Sequence, residues 1–296
     1  MNHFESDDVD RYYICRADFS HGNVLVDFFN TAAAQNWFQV TFKDGEIISA
    51  NHDNPQATKR RGAAANKSDT AAVPNNSFTH FRYVILRGSE VSLRWNPEIE
   101  IENRDLTFTV DHGSLKKQMG QCNQKSEASL TLYKLVANES EKFVFAIGDG
   151  QDTEGSNDLP VQLTVPVNLP VNLDPGSEIF FDLSVSKAST PLIKMFDKNN
   201  EILLDLYQGP EGNGIYYHTP DYSKKKPFGY TDNDCEVVAR YTLSHKLLTS
   251  IFKSSLTKTT MAHFVWYPDL PLKIWMYLSN WGEMSILIYP TNTTNP

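Results

Sequence analysis

Cysteine is scarce: three in 296 residues, at Cys15, Cys122 and Cys235, each standing alone. So spaced, they form neither a disulfide framework nor a metal-ligand cluster, and they favour a reducing compartment. Long apolar runs are missing too. No stretch approaches the roughly 18 apolar residues of a membrane-spanning helix. The start, MNHFESDDVD, is acidic with no apolar core, unlike a signal peptide. The sequons at Asn66, Asn75, Asn138 and Asn292 then read as chance matches. Motifs that carry chemistry are also lacking. Gly-x-Gly occurs only as GDG at 148–150 and GNG at 212–214, and neither opens a helix, so both read as turns. The eight histidines include no H-x-x-x-H pair, and the carboxylates show no constellation. The sequence therefore points to a non-enzymatic protein with no catalytic residue, metal or cofactor. Basic charge is in deficit, 27 Lys and Arg against 36 Asp and Glu, for a net charge of −9. That sum argues against nucleic acid as a partner, but the distribution of lysines matters more than the total.

What is present is a pattern that occurs twice. CEVVARYTL (235–243) is rich in β-branched and aromatic residues, as a strand should be. SHKLLTSIFKSSL (244–256) follows at helical period, with Ser244 placed to cap it, and three extended runs, 260–268, 271–278 and 283–290, close the unit. LTFTVDHGSLKKQM (106–119) repeats the strand, cap and helix start: Val110, Asp111, His112, Leu115 and Met119 fall where Leu243, Ser244, His245, Leu248 and Phe252 fall later. SLTLYKLVAN (129–138) and KFVFAIGD (142–149) repeat the strands that follow. A second unit also recurs, YYICRADFSHGNVLVDFF (12–29) and IFFDLSVSKASTPLIKMF (179–196), each followed by a hairpin-like pair. The chain thus reads as an internal duplication, each half of roughly 140 residues, a normal domain size. Domain one is placed at 1–149, a connector at 150–177 and domain two at 178–296. Residues 53–77, with their Lys59-Arg60-Arg61 triplet and few large apolar residues, read as an inserted loop. The connector alternates apolar residues with Pro160, Pro166 and Pro170, which excludes helix and central strand and suggests an extended segment on a sheet surface or edge. A short edge strand is expected within 222–234.

Three of the four helices set an apolar face against a lysine-bearing one. In 111–125, Leu115, Met119 and Cys122 share a side, with Lys116, Lys117 and Lys125 away from it. In 186–198, Lys187, Lys194 and Lys198 lie opposite Leu192, Met195 and Phe196. In 244–256, Lys246 and Lys253 lie opposite Leu247, Leu248, Ile251 and Phe252. One such helix is an ordinary amphipathic surface helix with solvated lysines. Repeated in an acidic chain, the arrangement makes a local basic surface suited to phosphate contact without base reading. The first helix breaks the pattern: opposite Val24, Leu25, Phe28 and Phe29 it carries Asn23, Asp27 and Asn30.

In its order of elements the chain resembles the DNA sliding clamps of the proliferating cell nuclear antigen type, from Tyr12 to Pro290. The resemblance is most specific in PDLPLKIWMYLSNWGEMSILIYP (268–290), similar to the closing pair of strands in that family, and in the opening strand, helix and hairpin. It implies an α+β class: a duplicated DNA-clamp fold of two domains, each with two helices packed on curved antiparallel sheets. It implies a ring around double-stranded DNA, other clamp subunits in a homo- or heterotrimer, and clamp loader, polymerase or repair proteins as partners. In a eukaryotic cell it implies the nucleus. The DNA-facing residues would be Lys116, Lys117, Lys125, Lys187, Lys194, Lys198, Lys246 and Lys253. A partner-peptide groove would use Val161, Leu163, Val165, Pro271, Leu287, Tyr289 and Pro290, of which Leu287 fits a core role equally well. Ring closure would use edge strands 142–148 and 226–231, bringing Phe143, Phe145, Ile147, Phe228 and Tyr230 to the subunit interface. Within the family the alternatives are a checkpoint-clamp subunit, towards which the lysine-free first helix and loop 53–77 lean, a replicative homotrimeric clamp, and a viral polymerase processivity factor. Outside it, the rival is a β-rich ligand-binding module using some of the five Trp and thirteen Tyr as stacking platforms.

Overall fold

The structure, a computed structural model, describes residues 10–32, 37–53, 80–99, 104–120, 124–137, 140–148, 158–166, 181–186, 196, 201–229, 234–243, 245, 261–267, 270–278 and 281–289. The chain divides into two compact units. The first comprises Met1–Asn51, Tyr83–Asn168 and Asn280–Gly282, and the second His52–Arg82, Leu169–Ser279 and Glu283–Pro296.

Unit one contains β1 (Asp10–Phe19), α1 (Gly22–Ala32), β2 (Trp37–Lys43), β3 (Glu46–Asp53), most of β4 (His80–Leu86), β5 (Val91–Trp95), β6 (Leu106–Asp111), α2 (His112–Met119), β7 (Ala128–Ala137), β8 (Ser140–Gly148) and β9 (Asp158–Thr164). Neighbouring strands run in the order β3-β2-β6-β9-β8-β7-β1-β5. The β2–β3 hairpin pairs Lys43 with Glu46 across Asp44-Gly45, and Gly45 has φ of 75°, the left-handed conformation that an Asp-Gly turn supplies. β2 alternates buried Phe38, Val40 and Phe42 with less buried neighbours, so one face meets the core. That core is aromatic. Phe42, Phe108 and Phe145 meet edge to face at centroid separations of 5.5–6.4 Å, and Phe28, Phe29, Phe38 and Trp281 form a second chain of ring contacts.

β9 lies within the stretch expected to be a connector. Its first residues, 158–161, pair with β8, and 162–164 pair with β6. Pro160 is thus opposite Val144 with pairing recorded on one side, which is how a proline without an N–H enters a sheet. The consequence for β8 is a correction: at Phe143–Ala146 it is covered by β7 on one side and β9 on the other, so this stretch is not an open edge.

Unit two contains β10 (Phe181–Ser186), β11 (Ile202–Gly209), β12 (Gly212–His218), β13 (Lys225–Gly229), β14 (Glu236–Leu243), β15 (Met261–Trp266), β16 (Leu272–Leu278) and β17 (Gly282–Ile288). Four strands form a sheet in the order β13-β12-β11-β14, and β10, β15, β16 and β17 are neighbours in that order. Strands thus recur at the duplicated positions: β1 and β10, β2–β3 and β11–β12, β6 and β14, β7–β8 and β15–β16. The described residues hold two α-helices, both in unit one. The helices expected at 186–198 and 244–256, and loop 53–77, fall almost entirely outside the described residues. The helix expected at 111–125 ends at Met119, capped by Gly120.

Candidate functional site

α2 begins at Asp111, whose Oδ2 accepts a hydrogen bond from the Ser114 backbone N–H at 2.8 Å. Bonds from Ser114 hold the Asp111 carboxyl below its usual pKa. Leu115 and Met119 are buried, while Lys116 and Lys117 are exposed in the last turn, where cations complement the helix dipole. His112 packs its ring 6.3 Å from that of Phe38, and burial lowers its pKa. Lys125 is exposed but does not belong to α2. It sits in the turn whose neighbours, Gln124 and Ser126, accept backbone hydrogen bonds from Asn23 and Gly22, so it flanks the start of α1 instead. α1 buries Val24, Leu25, Phe28 and Phe29, and leaves Asn23 and Asn30 exposed with Asp27 half-buried, as its sequence suggests. Lys187, Lys194, Lys198, Lys246 and Lys253 lie outside the described residues.

The expected groove residues separate into two kinds. In unit one, Leu163 and Val165 are 47% and 78% exposed, Val161 is half-buried opposite Phe143, and the Val165 carbonyl accepts from Gln39 Nε2 at 3.2 Å. In unit two, Pro271 and Leu287 are buried, so Leu287 takes the core role. Tyr289 is half-buried, and burial raises its pKa. Pro290 lies outside the described residues. The outer face of β15–β16 carries an aromatic ladder that the strand pattern did not single out. His263 lies opposite Trp275 at 4.7 Å between ring centroids, Tyr277 follows at 4.5 Å, and Trp275 Nε1 donates to Glu283 at 3.3 Å.

Of the expected interface residues, Phe145 is fully buried among Phe42 and Phe108, Ile147 is buried, and Phe143 packs on Phe108 at 5.5 Å. Phe145 and Ile147 are thus core residues and Phe143 is half-buried, and at Phe143–Ala146 the strand is paired on both sides. β13 is different. It pairs with β12 and ends its sheet, as a short edge strand should. Phe228 is half-buried against Tyr217, and Tyr230 lies outside the described residues.

The loop leading into β13 rests on a polar network. Asp205 on β11 is fully buried. It accepts from Arg240 Nε at 2.6 Å and Nη2 at 2.8 Å, and from His218 Nε2 at 3.0 Å. His218 Nδ1 faces the Thr219 carbonyl at 2.8 Å, so both ring nitrogens meet acceptors. The Tyr222 ring stacks on His218 at 4.0 Å and 8°, with Tyr222 at a φ of 55°. Asp221 accepts from Thr219 Oγ1 at 2.6 Å and from Ser223 N and Oγ, which lowers its pKa to about 2. Sequence alone offered no signal for this network, since its members are scattered over 36 positions and share no motif.

Comparison of the whole architecture with solved structures gives a match covering 95% of this chain and 100% of the other, at a TM-score of 0.56 and 13% identity. That other chain is A. fulgidus PCNA, bound to the C-terminal region of FEN-1. This chain has the sliding-clamp fold. A second match, at a TM-score of 0.54 and 10% identity, is the PCNA2–PCNA3 complex from Sulfolobus tokodaii, covering 93% of this chain and 98% of that one. No family model matches, and no curated protein matches by sequence. The clamp likeness is therefore carried by the order and pairing of strands. Among the described residues it includes two helices, not the four that the duplicated pattern calls for.

Proposed function

We propose that this protein is a non-enzymatic clamp subunit that helps to form a ring around duplex DNA and tethers replication, repair or checkpoint proteins. The observation that carries this reading is the match in fold over nearly the full length of both chains. The exposed pair Lys116–Lys117 on α2 gives it a phosphate-contacting surface. The FEN-1 segment held by the A. fulgidus clamp supports a client role, for which Leu163 and Val165 are the exposed candidates. Lys187, Lys194, Lys198, Lys246 and Lys253 complete the proposed DNA-facing set.

The double variant Lys116→Glu/Lys117→Glu tests this reading. If both lysines contact phosphate, the slope of log K against log salt for duplex binding should flatten by about 2, near 0.9 for each lost contact. An unchanged slope would remove α2 from the DNA surface.

A ring of unlike subunits, as in a checkpoint clamp, is favoured over a homotrimer by one observation. α1 presents Asp27 with Asn23 and Asn30 and no lysine. In a homotrimer that helix would bring three carboxylates towards the phosphates, and in a mixed ring only one.

A further inference from the structure

We infer that the open edge of β13 docks a strand from a different polypeptide bearing acidic side chains, and not a second copy of this chain. The inference rests on the clamp reading for its setting and on β13 itself for its content. The Lys224 carbonyl accepts from the Thr219 backbone N–H at 2.9 Å, so the Lys224 backbone points towards β12. Polar groups alternate along an antiparallel strand. Lys226 and Phe228 therefore also point to β12, and Lys225, Pro227 and Gly229 point to the open side. Pro227, which has no N–H, stands at the middle of that side. The edge offers three carbonyls but only the N–H groups of Lys225 and Gly229. A proline there blunts indiscriminate strand addition and leaves selection to side chains.

Those side chains are basic. Lys225 and Lys226 are exposed on opposite faces of the strand, with Lys226 Nζ 5.8 Å from the centroid of the Phe228 ring. A partner strand with carboxylates facing each of them is complementary on both faces. This chain does not supply such a strand among its described residues. The other strands that end a sheet are β5 (VSLRW), with no acidic residue, β10 (FDLSVS), with Asp182 alone, and β14 (EVVARYTL), with Glu236 beside Arg240. β9 carries one acid, Asp158, already held by Arg11 through two bonds of 3.0 and 3.1 Å. Two copies each carrying −9 also repel.

The test uses the full chain and two fluorescent ten-residue probes, one alternating Glu with Thr and Val, the other with Lys in place of Glu. The Glu probe should bind with an affinity that falls as salt rises, and the Lys probe should not. Lys225→Glu/Lys226→Glu should weaken the Glu probe about tenfold and make the Lys probe bind. Pro227→Ala, which restores an N–H to the open side, should tighten the Glu probe several-fold. Circular dichroism checks that both variants fold. Equal binding of both probes, or no response to Pro227→Ala, overturns strand docking at β13. If the double variant instead loses duplex DNA binding as fully as Lys116→Glu/Lys117→Glu, the lysines serve phosphate and the inference fails. A stable homotrimer of the chain alone in sedimentation also overturns it, while leaving the clamp reading intact. That reading fails separately, through an unchanged salt slope for the α2 variant.

Discussion

Asp205 illustrates how much one residue can hold. Its two oxygens take three hydrogen bonds from Arg240 and His218 at full burial. Removing the carboxylate leaves the buried His218 ring without its acceptor, while the half-exposed Arg240 can turn to water, and an unsatisfied buried donor of this kind costs roughly 1–3 kcal/mol. Asp205→Ala should therefore lower the midpoint of chemical denaturation by that equivalent, and the loop 219–224 should become the first site of proteolysis. Asp221, on the same loop, gives a pH dependence with a definite sign. Its pKa is lowered to about 2 from the ordinary 3.8. A carboxylate with a depressed pKa stabilises the folded form above its unfolded pKa and loses that contribution as pH falls towards its folded one. The hydrogen bonds of the loop should thus weaken between pH 4 and 2 and stay constant above about 5, which carboxyl NMR titration would follow. Cys15 is buried, and burial raises its thiol to about 12. It should resist alkylation at pH 8 in the native chain and react once the chain is unfolded.

At the scale of elements, β8 and β17 set the next expectations. Phe145→Ala removes a fully buried ring from the Phe42–Phe108 cluster and should cost about 3–5 kcal/mol. Because β8 is covered on both sides, the loss should appear in denaturation and not as a specific change in subunit association. Gly282 opens β17 with its backbone against that of Ile85, and a Cβ there would collide with the Ile85 carbonyl oxygen. Gly282→Ala should destabilise by roughly 1–3 kcal/mol, read by the same measurement.

Much of this level was legible beforehand. Alternation and β-branched residues located β7, β14, β15, β16 and β17, and the lysine-proline stretch at 222–234 yielded the expected edge strand β13. The misjudged element was β9. Pro160 argued against a central strand, yet pairing on one side at each residue satisfies a proline, and sequence does not reveal how many neighbours a strand will have. That one strand took Phe143 and Phe145 from an open edge into the paired interior of the sheet, with Phe145 and Ile147 buried. Helix α2 was overextended because apolar spacing continued to Cys122, whereas the cap at Gly120 ended it. The polar network around Asp205 needed three strands in register before its partners could meet.

At the scale of the whole molecule, a net charge of −9 coexists with a proposed DNA surface. Local lysines must then overcome a general repulsion, so duplex affinity should be low and fall steeply with salt unless the ring is topologically closed. A closed ring held by linkage would survive on circular DNA and slip off when the DNA is cut. Retention lost on linearisation, with partner subunits present, is the expected outcome. Equal loss from both forms would mean simple surface binding.

β9 gives unit one a mechanical property. It joins β8 through one half and β6 through the other, and Val165 follows directly on its end. A load applied at Val165 along the axis of β9 would act on a strand that pairs with both β8 and β6. Such a load is shared as shear by several hydrogen bonds at once, where a pull across the strand would peel them singly.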